Sequence, residues 1–189
     1  MRMISRVLGV LFIGLGLMSC SNNSEYLIKK GQVGPVNELT EVQDLEDIFS
    51  SDSLVSRLSE GELGLRGSMV QGEDQYLVYS LEGEHLMTLV ADQPLDSTSL
   101  IKRVEVYSPK YMTSDGVGIG SKFEDVNLNL TINRVEKSFT SATLFIDELN
   151  ATMVIDQKEL GIKSLRPGEL SLEQIPEAAK FKAFTVWLN

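Results

Sequence analysis

Alternation of apolar and polar residues in several short segments is the feature that most constrains how this chain of 189 residues folds. Ile101–Tyr107 and Phe181–Trp187 alternate in this way and contain many β-branched or aromatic residues, which is typical of strands with one buried face. Two hairpins are predicted where similar runs are paired, at Gln75–Leu81 with His85–Ala91 and at Ala142–Ile146 with Ala151–Ile155. Because each apolar face must be covered, the pattern favours an α+β fold of antiparallel sheet and short helices.

The same order of elements occurs twice along the chain. Thr40–Gln43 and Ser121–Glu124 each have a hydroxyl followed three residues later by Gln or Glu, the pattern of a helix capping box, and they begin 81 residues apart. We therefore predict a single globular domain over 33–189 with two tandem helix–hairpin–strand repeats in a pseudo-two-fold relation, at about 33–113 and about 114–189. The alternative is chance similarity, since α+β proteins reuse capped helices and hairpins.

The N-terminus has the pattern of an export signal. Arg2 and Arg6 precede an uncharged, mostly apolar run at Val7–Met18, which is 12 residues long and too short to span a membrane. The segment Leu17–Cys20 resembles the bacterial lipobox, which implies that residues 1–19 are a lipoprotein signal peptide and that Cys20 becomes the lipidated first residue. Cys20 is the one cysteine of the chain, and an unpaired cysteine in an exported protein needs such a role.

Residues 20–32 are predicted to be the lipidated cysteine and a polar tether. Ser21, rather than Asp, follows the cysteine, which resembles the outer-membrane sorting signal of enteric bacteria. Residues 1–19 hold two of the 17 basic residues and none of the 27 acidic ones, so the remaining chain has a net charge of −12. An acidic chain is repelled by phosphate backbones, which disfavours nucleic-acid binding.

The glycine-rich stretch Ser114–Val126 does not have the spacing of a phosphate-binding loop. A dinucleotide loop needs a third glycine three residues after the second, but Ser121 stands three residues after Gly118. A Walker loop needs Ser or Thr after its lysine, and Phe123 follows Lys122. We interpret Asp115-Gly116 as a turn at the end of repeat one and Ser121 as the cap of the helix that opens repeat two.

Several of these segments together resemble a family of small proteobacterial envelope lipoproteins of unknown function, the RpoE-regulated lipoproteins. The residues that carry the resemblance are Val33-Gly34, Leu39-Thr40, Leu65–Met69, Lys102–Val106, Asp115–Asp125 and the C-terminal strand that ends in Trp187. The resemblance implies an envelope lipoprotein of similar fold. It brings no catalytic residues, because none are established for that family.

The titratable residues do not form a recognisable catalytic pattern. His85 is the one histidine, which excludes a multi-histidine metal site, and the chain contains no G-x-S-x-G turn. The carboxylate pairs Glu82 with Glu84 and Asp147 with Glu148 are interpreted as solvated surface charge, since no calcium-loop pattern accompanies them. We expect no metal and no cofactor.

Two arginines lie among apolar residues. Arg66 lies between glycines and leucines, and Arg103 lies on a predicted strand. In an acidic protein such arginines could bind an anionic ligand or a carboxylate of a partner; the alternative is an ion pair within the fold or a place on a solvated face. They are our speculative ligand-binding residues.

The function expected from these patterns is that of a lipid-anchored protein of the bacterial cell envelope, most simply in the outer membrane, that binds an envelope protein partner and is not an enzyme. The alternatives are a small-ligand carrier, a structural lipoprotein that spaces other envelope parts, or a carboxylate-dependent hydrolase. A hydrolase needs two acids that converge in a cleft, one of them with a raised pKa. A binding module needs an apolar groove or an exposed patch.

Replacing the predicted lipidation site tests the anchor. Cys20→Ser removes the thiol that accepts the diacylglycerol, so we expect the protein to leave the membrane fraction, because each buried methylene of the acyl chains contributes about 0.8 kcal/mol to anchoring. The measurement is cell fractionation followed by immunoblotting. A variant that stays in the membrane fraction with its signal still removed would contradict the lipobox interpretation.

Overall fold

The computed structural model describes residues 25–59, 72–161 and 168–189. The helices are α1 Leu45–Ile48, α2 Phe123–Asn129 and α3 Gln157–Leu160, and short 3-10 turns lie at Val42–Asp44 and Leu172–Gln174. The strands are β1 Ile28–Lys29, β2 Gln32–Val33, β3 Val36–Asn37, β4 Ser53–Arg57, β5 Gln75–Tyr79, β6 His85–Ala91, β7 Ile101–Val106, β8 Arg134–Lys137, β9 Ser141–Ile146, β10 Ala151–Asp156, β11 Gly168–Glu169 and β12 Phe181–Trp187.

These strands form two antiparallel sheets. The small sheet has the order β1-β2-β3, and the large one has nine strands in the order β11-β8-β9-β10-β12-β7-β6-β5-β4. The C-terminal strand β12 lies inside the large sheet, between β10 and β7, and pairs antiparallel with both. The C-terminal strand therefore joins two groups of strands, β4 to β7 on one side and β8 to β11 on the other.

One face of the large sheet packs into a continuous hydrophobic core. Along β7 and β12 the inward residues are Val104, Val106, Phe184 and Val186, each at most 1% exposed. The helices and the small sheet contribute to the same cluster, through residues that include Leu45, Phe49, Phe123, Val126, Val33 and Val36. Alternation thus buries one face of β7 and β12, and at about 25 cal/mol per Å² of apolar surface such burial is the main stabilising term.

The predicted fold class is confirmed at the level of antiparallel sheet with a few short helices. The bounds of β6 and β12 agree with the predicted strands. The segment of β12 alternates, whereas that of β6 is a nearly continuous apolar run that is buried on both faces. Strands β4 and β8 were not predicted. The first is mostly exposed and the second has a single buried apolar residue, Val135, so neither has a clear apolar face.

The two predicted helix caps are displaced by one residue. Helix α2 begins at Phe123 with Lys122 as its N-cap, and Asp125 accepts the hydrogen bond from the Lys122 backbone N–H at 2.9 Å. Ser121 instead accepts a hydrogen bond from the backbone N–H of Gly118 at 3.0 Å, which closes the glycine turn. Before α1, the side chain that accepts the corresponding hydrogen bond is Asp44 and not the predicted Gln43. It accepts from the backbone N–H of Glu41 at 3.2 Å.

The glycine stretch forms a turn, as its spacing predicted. The Thr113 N–H donates to the Val117 carbonyl at 2.8 Å, and Gly116 has a φ of +78°, in the left-handed region that favours glycine. Gly118 lies so close to the backbone that a Cβ atom there would approach the Tyr111 carbonyl oxygen within 2.5 Å. Gly116 therefore serves the turn and Gly118 a close backbone packing.

The folded part begins earlier than the predicted boundary at residue 33. Ile28, in the segment assigned to the tether, is 1% exposed and belongs to the core. Among the described residues, none of the helices is both long enough and apolar enough to cross a bilayer.

A methyl group at Gly118 tests the close packing of the turn. We expect Gly118→Ala to lower the free energy of unfolding by about 1–3 kcal/mol, because the backbone of Tyr111 must move to make room. Gly120→Ala is the matched control, since its Cβ would meet only the Cβ of Pro109, at 3.3 Å. Urea denaturation measures both variants, and equal stability of the two would refute the packing argument.

Candidate functional site

The face of the large sheet opposite the core carries a row of side chains across neighbouring strands. Successive pairs place Arg134 opposite Phe145, Phe145 opposite Thr152, and Thr152 opposite Thr185. Thr185 in turn lies opposite Glu105. All five side chains are exposed or half-buried. We call this row, together with Trp187, Arg103 and Tyr107, the open face.

Two arginines of the open face lie against aromatic rings. The guanidinium carbon of Arg134 is 4.1 Å from the centre of the Phe145 ring, and that of Arg103 is 5.5 Å from the centre of the Trp187 ring. Such cation–π contacts contribute about 0.5–1 kcal/mol at exposed sites. They hold long cationic side chains flat against the sheet, which reduces the entropy that a ligand or partner must remove on binding.

A shallow recess of about 290 Å³ lies at one end of the open face. Its lining residues are Phe145, Asp147, Asn150, Ala151, Thr152 and Trp187. Asn150 fixes the neighbouring end of β12, since its amide donates to the carbonyls of Trp187 at 3.1 Å and of Asn189 at 3.0 Å. The recess therefore combines two aromatic side chains with a rigid polar rim, the composition of a protein or ligand contact.

The open face is confined to one half of the sheet. On the same side, in β5 and β6, Leu77, Thr88 and Val90 are at most 4% exposed. Leu77 and Val90 are buried although they do not belong to the main core cluster, so this part of the face is covered. The accessible part is thus the area formed by β7, β8, β9, β10 and β12.

Arg103, one of the two speculative ligand-binding residues, is held by carboxylates of the fold. It donates two hydrogen bonds to Glu73, at 3.0 and 2.7 Å, and one to Glu105 at 3.4 Å. Lys102 lies 2.8 Å from the same Glu73. Hydrogen bonds from Arg103 and Lys102 lower the pKa of Glu73 to about 2. The geometry is that of the internal ion pair, and binding of an external ligand by Arg103 stays a prediction.

Two other residues predicted to be functional, Cys20 and Arg66, lie outside the described residues. The carboxylate pairs are used within the fold. Glu84 accepts a hydrogen bond from the Ser108 hydroxyl at 2.6 Å, and Glu148 accepts the Thr131 N–H at 2.6 Å. In the parts of the chain that the structure describes, no group of three or more His, Cys, Asp or Glu residues is arranged to hold a metal ion.

His85 lies in an aromatic stack and not in a catalytic triad. Its ring is 4.8 Å from that of Tyr79 and 4.2 Å from that of Tyr107, centre to centre, and Nε2 is 3.1 Å from the Thr88 hydroxyl. Thr88 is only 4% exposed, so its hydroxyl is not accessible to a substrate. Burial lowers the pKa of His85, which keeps the ring neutral near pH 7.

The aromatic members of the open face were not predicted from the sequence. The alternation along β7 and β12 could have identified part of this surface, because every second residue of a strand lies on the same side of the sheet. With Val104, Phe184 and Val186 facing inward, Arg103, Glu105, Thr185 and Trp187 must face outward. Alternation does not predict the order of the strands in the sheet, and it is this order that places Phe145 near Trp187.

Comparison with known proteins shows the fold alone. No protein-family model matches the sequence, and no curated protein matches it. The crystal structure of the uncharacterized protein yfeY from Escherichia coli is similar, with a TM-score of 0.52 and 15% identity over 85% of this chain and 98% of that one. The chain therefore shares an architecture with that protein, and the resemblance to the RpoE-regulated lipoproteins stays a prediction.

Acid titration tests the ion pairs beneath Trp187. The pKa of Glu73 is about 2 in the folded protein and 4.5 in the absence of its partners. A carboxyl with a lowered pKa stabilises the fold fully above its unfolded pKa, and this stabilisation is lost as the pH falls from about 4.5 through about 2. Glu73→Gln should therefore be less stable than the wild-type protein at pH 7, with a difference that shrinks towards pH 2.

Thermal unfolding at a series of pH values measures this effect. Glu136→Gln is the control, because its ion pair with Arg134 is more than half exposed on both side chains and exposed pairs contribute little. A Glu73→Gln defect that is the same at pH 7 and pH 2 would show that the charge of Glu73 is not what stabilises the fold.

Proposed function

We propose that this chain is a lipid-anchored protein of the bacterial envelope, held through Cys20 in the outer membrane, whose folded domain binds a protein partner through the open face. The lipobox-like segment before Cys20 and the single cysteine support the anchor. Binding, and not catalysis, is the function that we propose, because the open face is composed mainly of aromatic, arginine and threonine side chains.

The composition of the open face is the observation that carries this proposal. Protein interfaces are enriched in Trp, Tyr, Phe and Arg, and their energetic centres are enriched in Trp, Tyr and Arg. The open face combines Trp187, Tyr107 and Phe145 with Arg103 and Arg134. Its arginines are matched by Glu105 and Glu136, at 3.4 and 2.9 Å. It is thus a charge-balanced aromatic surface on a strongly acidic chain, and a partner meets little electrostatic repulsion there.

The proposal extends to the internal symmetry of the domain. We infer that the two halves are tandem repeats, each a short helix followed by a four-stranded meander. Strands β4-β5-β6-β7 and β8-β9-β10-β12 follow the helices in the same order, and the halves meet where β7 pairs antiparallel with β12. This shared order of elements supports a pseudo-two-fold relation between the halves.

Small-ligand carriage is a second candidate, and a separate cleft supports it. The cleft lies beside Tyr111 and is lined by the carboxylates Glu25 and Asp52 together with Phe49 and Leu86. A site that holds a ligand small enough for this cleft does not conflict with a protein partner on the open face.

Position-specific crosslinking in intact cells tests the open face. A photoreactive phenylalanine at Thr152 should form a discrete adduct with one protein, because Thr152 lies in the middle of the row and lines the recess. The same group at Phe139 is the control. Phe139 is 70% exposed but lies in the turn between β8 and β9.

Truncation of the aromatic side chains completes this test. Trp187→Ala and Phe145→Ala should abolish the Thr152 adduct, since an aromatic hot spot contributes about 2 kcal/mol or more to binding, whereas Phe139→Ala should leave it unchanged. Adducts of equal yield from both positions, or an adduct that survives both truncations, would exclude the open face as the partner site.

A further inference from the structure

A second cleft lies apart from the open face, where the N-terminal segment meets helix α1. We call it the Tyr111 cleft. It has a volume of about 240 Å³ and is lined by Glu25, Tyr26, Pro35, Ile48, Phe49, Ser51, Asp52, Leu86 and Tyr111. Phe49, Leu86 and Tyr111 belong to the core cluster, so the cleft opens on the core side of the large sheet.

A shallower recess of about 180 Å³ continues the Tyr111 cleft. It shares Tyr26, Ser51, Asp52 and Leu86 with the cleft and adds Ser80, Leu81, Glu82 and Lys110. The combined surface has apolar walls and carries three carboxylates against one ammonium group. Lys110 pairs with Glu84, 3.1 Å from its Nζ, and its charge also lowers the pKa of Asp52.

Tyr111 brings an unpartnered hydroxyl to this cleft. The residue is 3% exposed, and its ring is in edge contact with that of Tyr26, 5.2 Å between centres. In the described parts of the chain, no group forms a hydrogen bond with the Tyr111 hydroxyl. Among the side-chain polar atoms of these parts, Ser59 Oγ is the only one that is both inaccessible to solvent and without a hydrogen-bond partner. The Tyr111 hydroxyl is therefore accessible to solvent, and it is reached through the cleft that Tyr111 lines. The hydroxyl of this otherwise buried side chain is thus available to hydrogen-bond a molecule that occupies the cleft.

Several titratable groups of the cleft act on the Tyr111 hydroxyl. Burial raises the pKa of Tyr111, and Tyr26, Asp52 and Glu25 in the cleft and Glu84 outside it raise it further. Burial also raises the pKa of Asp52, with the charge of Glu25 as the next cause. A cation bound in the cleft beside Asp52 would offset this effect of Glu25.

We propose that the Tyr111 cleft binds a small organic ammonium ion, a primary amine on a short apolar stem. The ammonium group lies between Asp52 and Glu25 and donates a third hydrogen bond to the Tyr111 hydroxyl. The stem packs against Ile48, Phe49 and Leu86.

A metal ion fits this cleft less well than an amine does. The described residues contain no set of three or more ligating side chains in a metal-binding arrangement, and aromatic walls suit an organic cation, which gains from contact with ring faces. The volume is below the 300–1,000 Å³ of sites for drug-sized ligands, so the ligand is small. The source of the ammonium group is either a free amine or the headgroup of an aminophospholipid.

Titration of the purified full chain in detergent, followed by NMR, tests the proposal with n-butylamine as the probe and 1-butanol as its neutral isostere. We expect saturable shifts in the resonances of residues 48–52, Leu86 and Tyr111 with butylamine and none with butanol. Asp52→Asn and Tyr111→Phe should each weaken butylamine binding about tenfold, because the first removes a negative charge beside the ammonium group and the second removes a hydrogen-bond acceptor. Asp147→Asn, which removes a carboxylate at the other recess, should leave the affinity unchanged.

Two headgroup compounds distinguish the sources. Glycerophosphoethanolamine carries the same primary ammonium as butylamine, and glycerophosphocholine carries a quaternary one that cannot donate hydrogen bonds. Binding of glycerophosphoethanolamine at least as tightly as butylamine, without binding of glycerophosphocholine, assigns the site to a lipid headgroup; binding of butylamine alone assigns it to a free amine.

The proposal is overturned if butylamine does not saturate, if butanol binds as well, or if Tyr111→Phe and Asp52→Asn bind butylamine like the wild-type protein. Tyr111→Phe keeps the ring and its packing, so the test remains decisive even if Asp52→Asn is unstable. None of these outcomes depends on the partner of the open face.

Discussion

The antiparallel pairing of β7 with β12 is the interaction on which the rest of the fold depends. Val104 pairs with Val186 and Val106 with Phe184, and all four side chains are at most 1% exposed. This pairing is long-range, because it unites a strand near the middle of the chain with the C-terminal one. It makes one sheet out of two strand groups, so that the inward faces of both groups share a single core and cover each other's apolar surface. The hydrogen bonds of Asn150 to Trp187 and Asn189 then hold the end of β12 in place.

The same pairing produces the surface on which the proposed function rests. Because residues alternate sides, the register that buries Val186 against Val104 also brings Trp187 opposite Arg103 on the other face. A shift of one residue would exchange the two faces, placing Trp187 in the core and Val186 in solvent. The hydrophobic core therefore specifies the geometry of the open face, and the ion pairs of Arg103 with Glu73 and Glu105 keep its guanidinium group over the indole.

Local pattern predicted the strands with a clear apolar face and missed those without one. The bounds of β12 followed from alternation and those of β6 from a run of apolar residues, whereas β4 is an edge strand with little buried surface. The helix starts were displaced because Asp and Glu or Gln stand side by side at the capping positions, and Asp125 reaches the backbone where Glu124 was expected. Neither candidate site could be assembled from local pattern, since strand order brings Phe145 to the open face and the N-terminal segment completes the Tyr111 cleft. Tyr111, Asp52 and Glu25 are distant in sequence and meet only because the N-terminal segment bridges to Met112, through hydrogen bonds of Ile28 and Tyr26.

The two surfaces differ in a way that argues for two kinds of occupant. On the open face each arginine has a carboxylate partner, so its field is short-ranged and contact depends on shape and aromatic packing. In the Tyr111 cleft Asp52 is half-buried beside Glu25, and the nearest cation, Lys110, pairs with Glu84 instead. A chain with a net charge of −12 beyond residue 19 attracts cations over a distance of about a Debye length, and a cleft with low-dielectric walls focuses that attraction. The net charge thus favours the approach of a small cation to the cleft. It has less effect at the open face, where positive and negative side chains balance and a partner is selected by the shape of its surface.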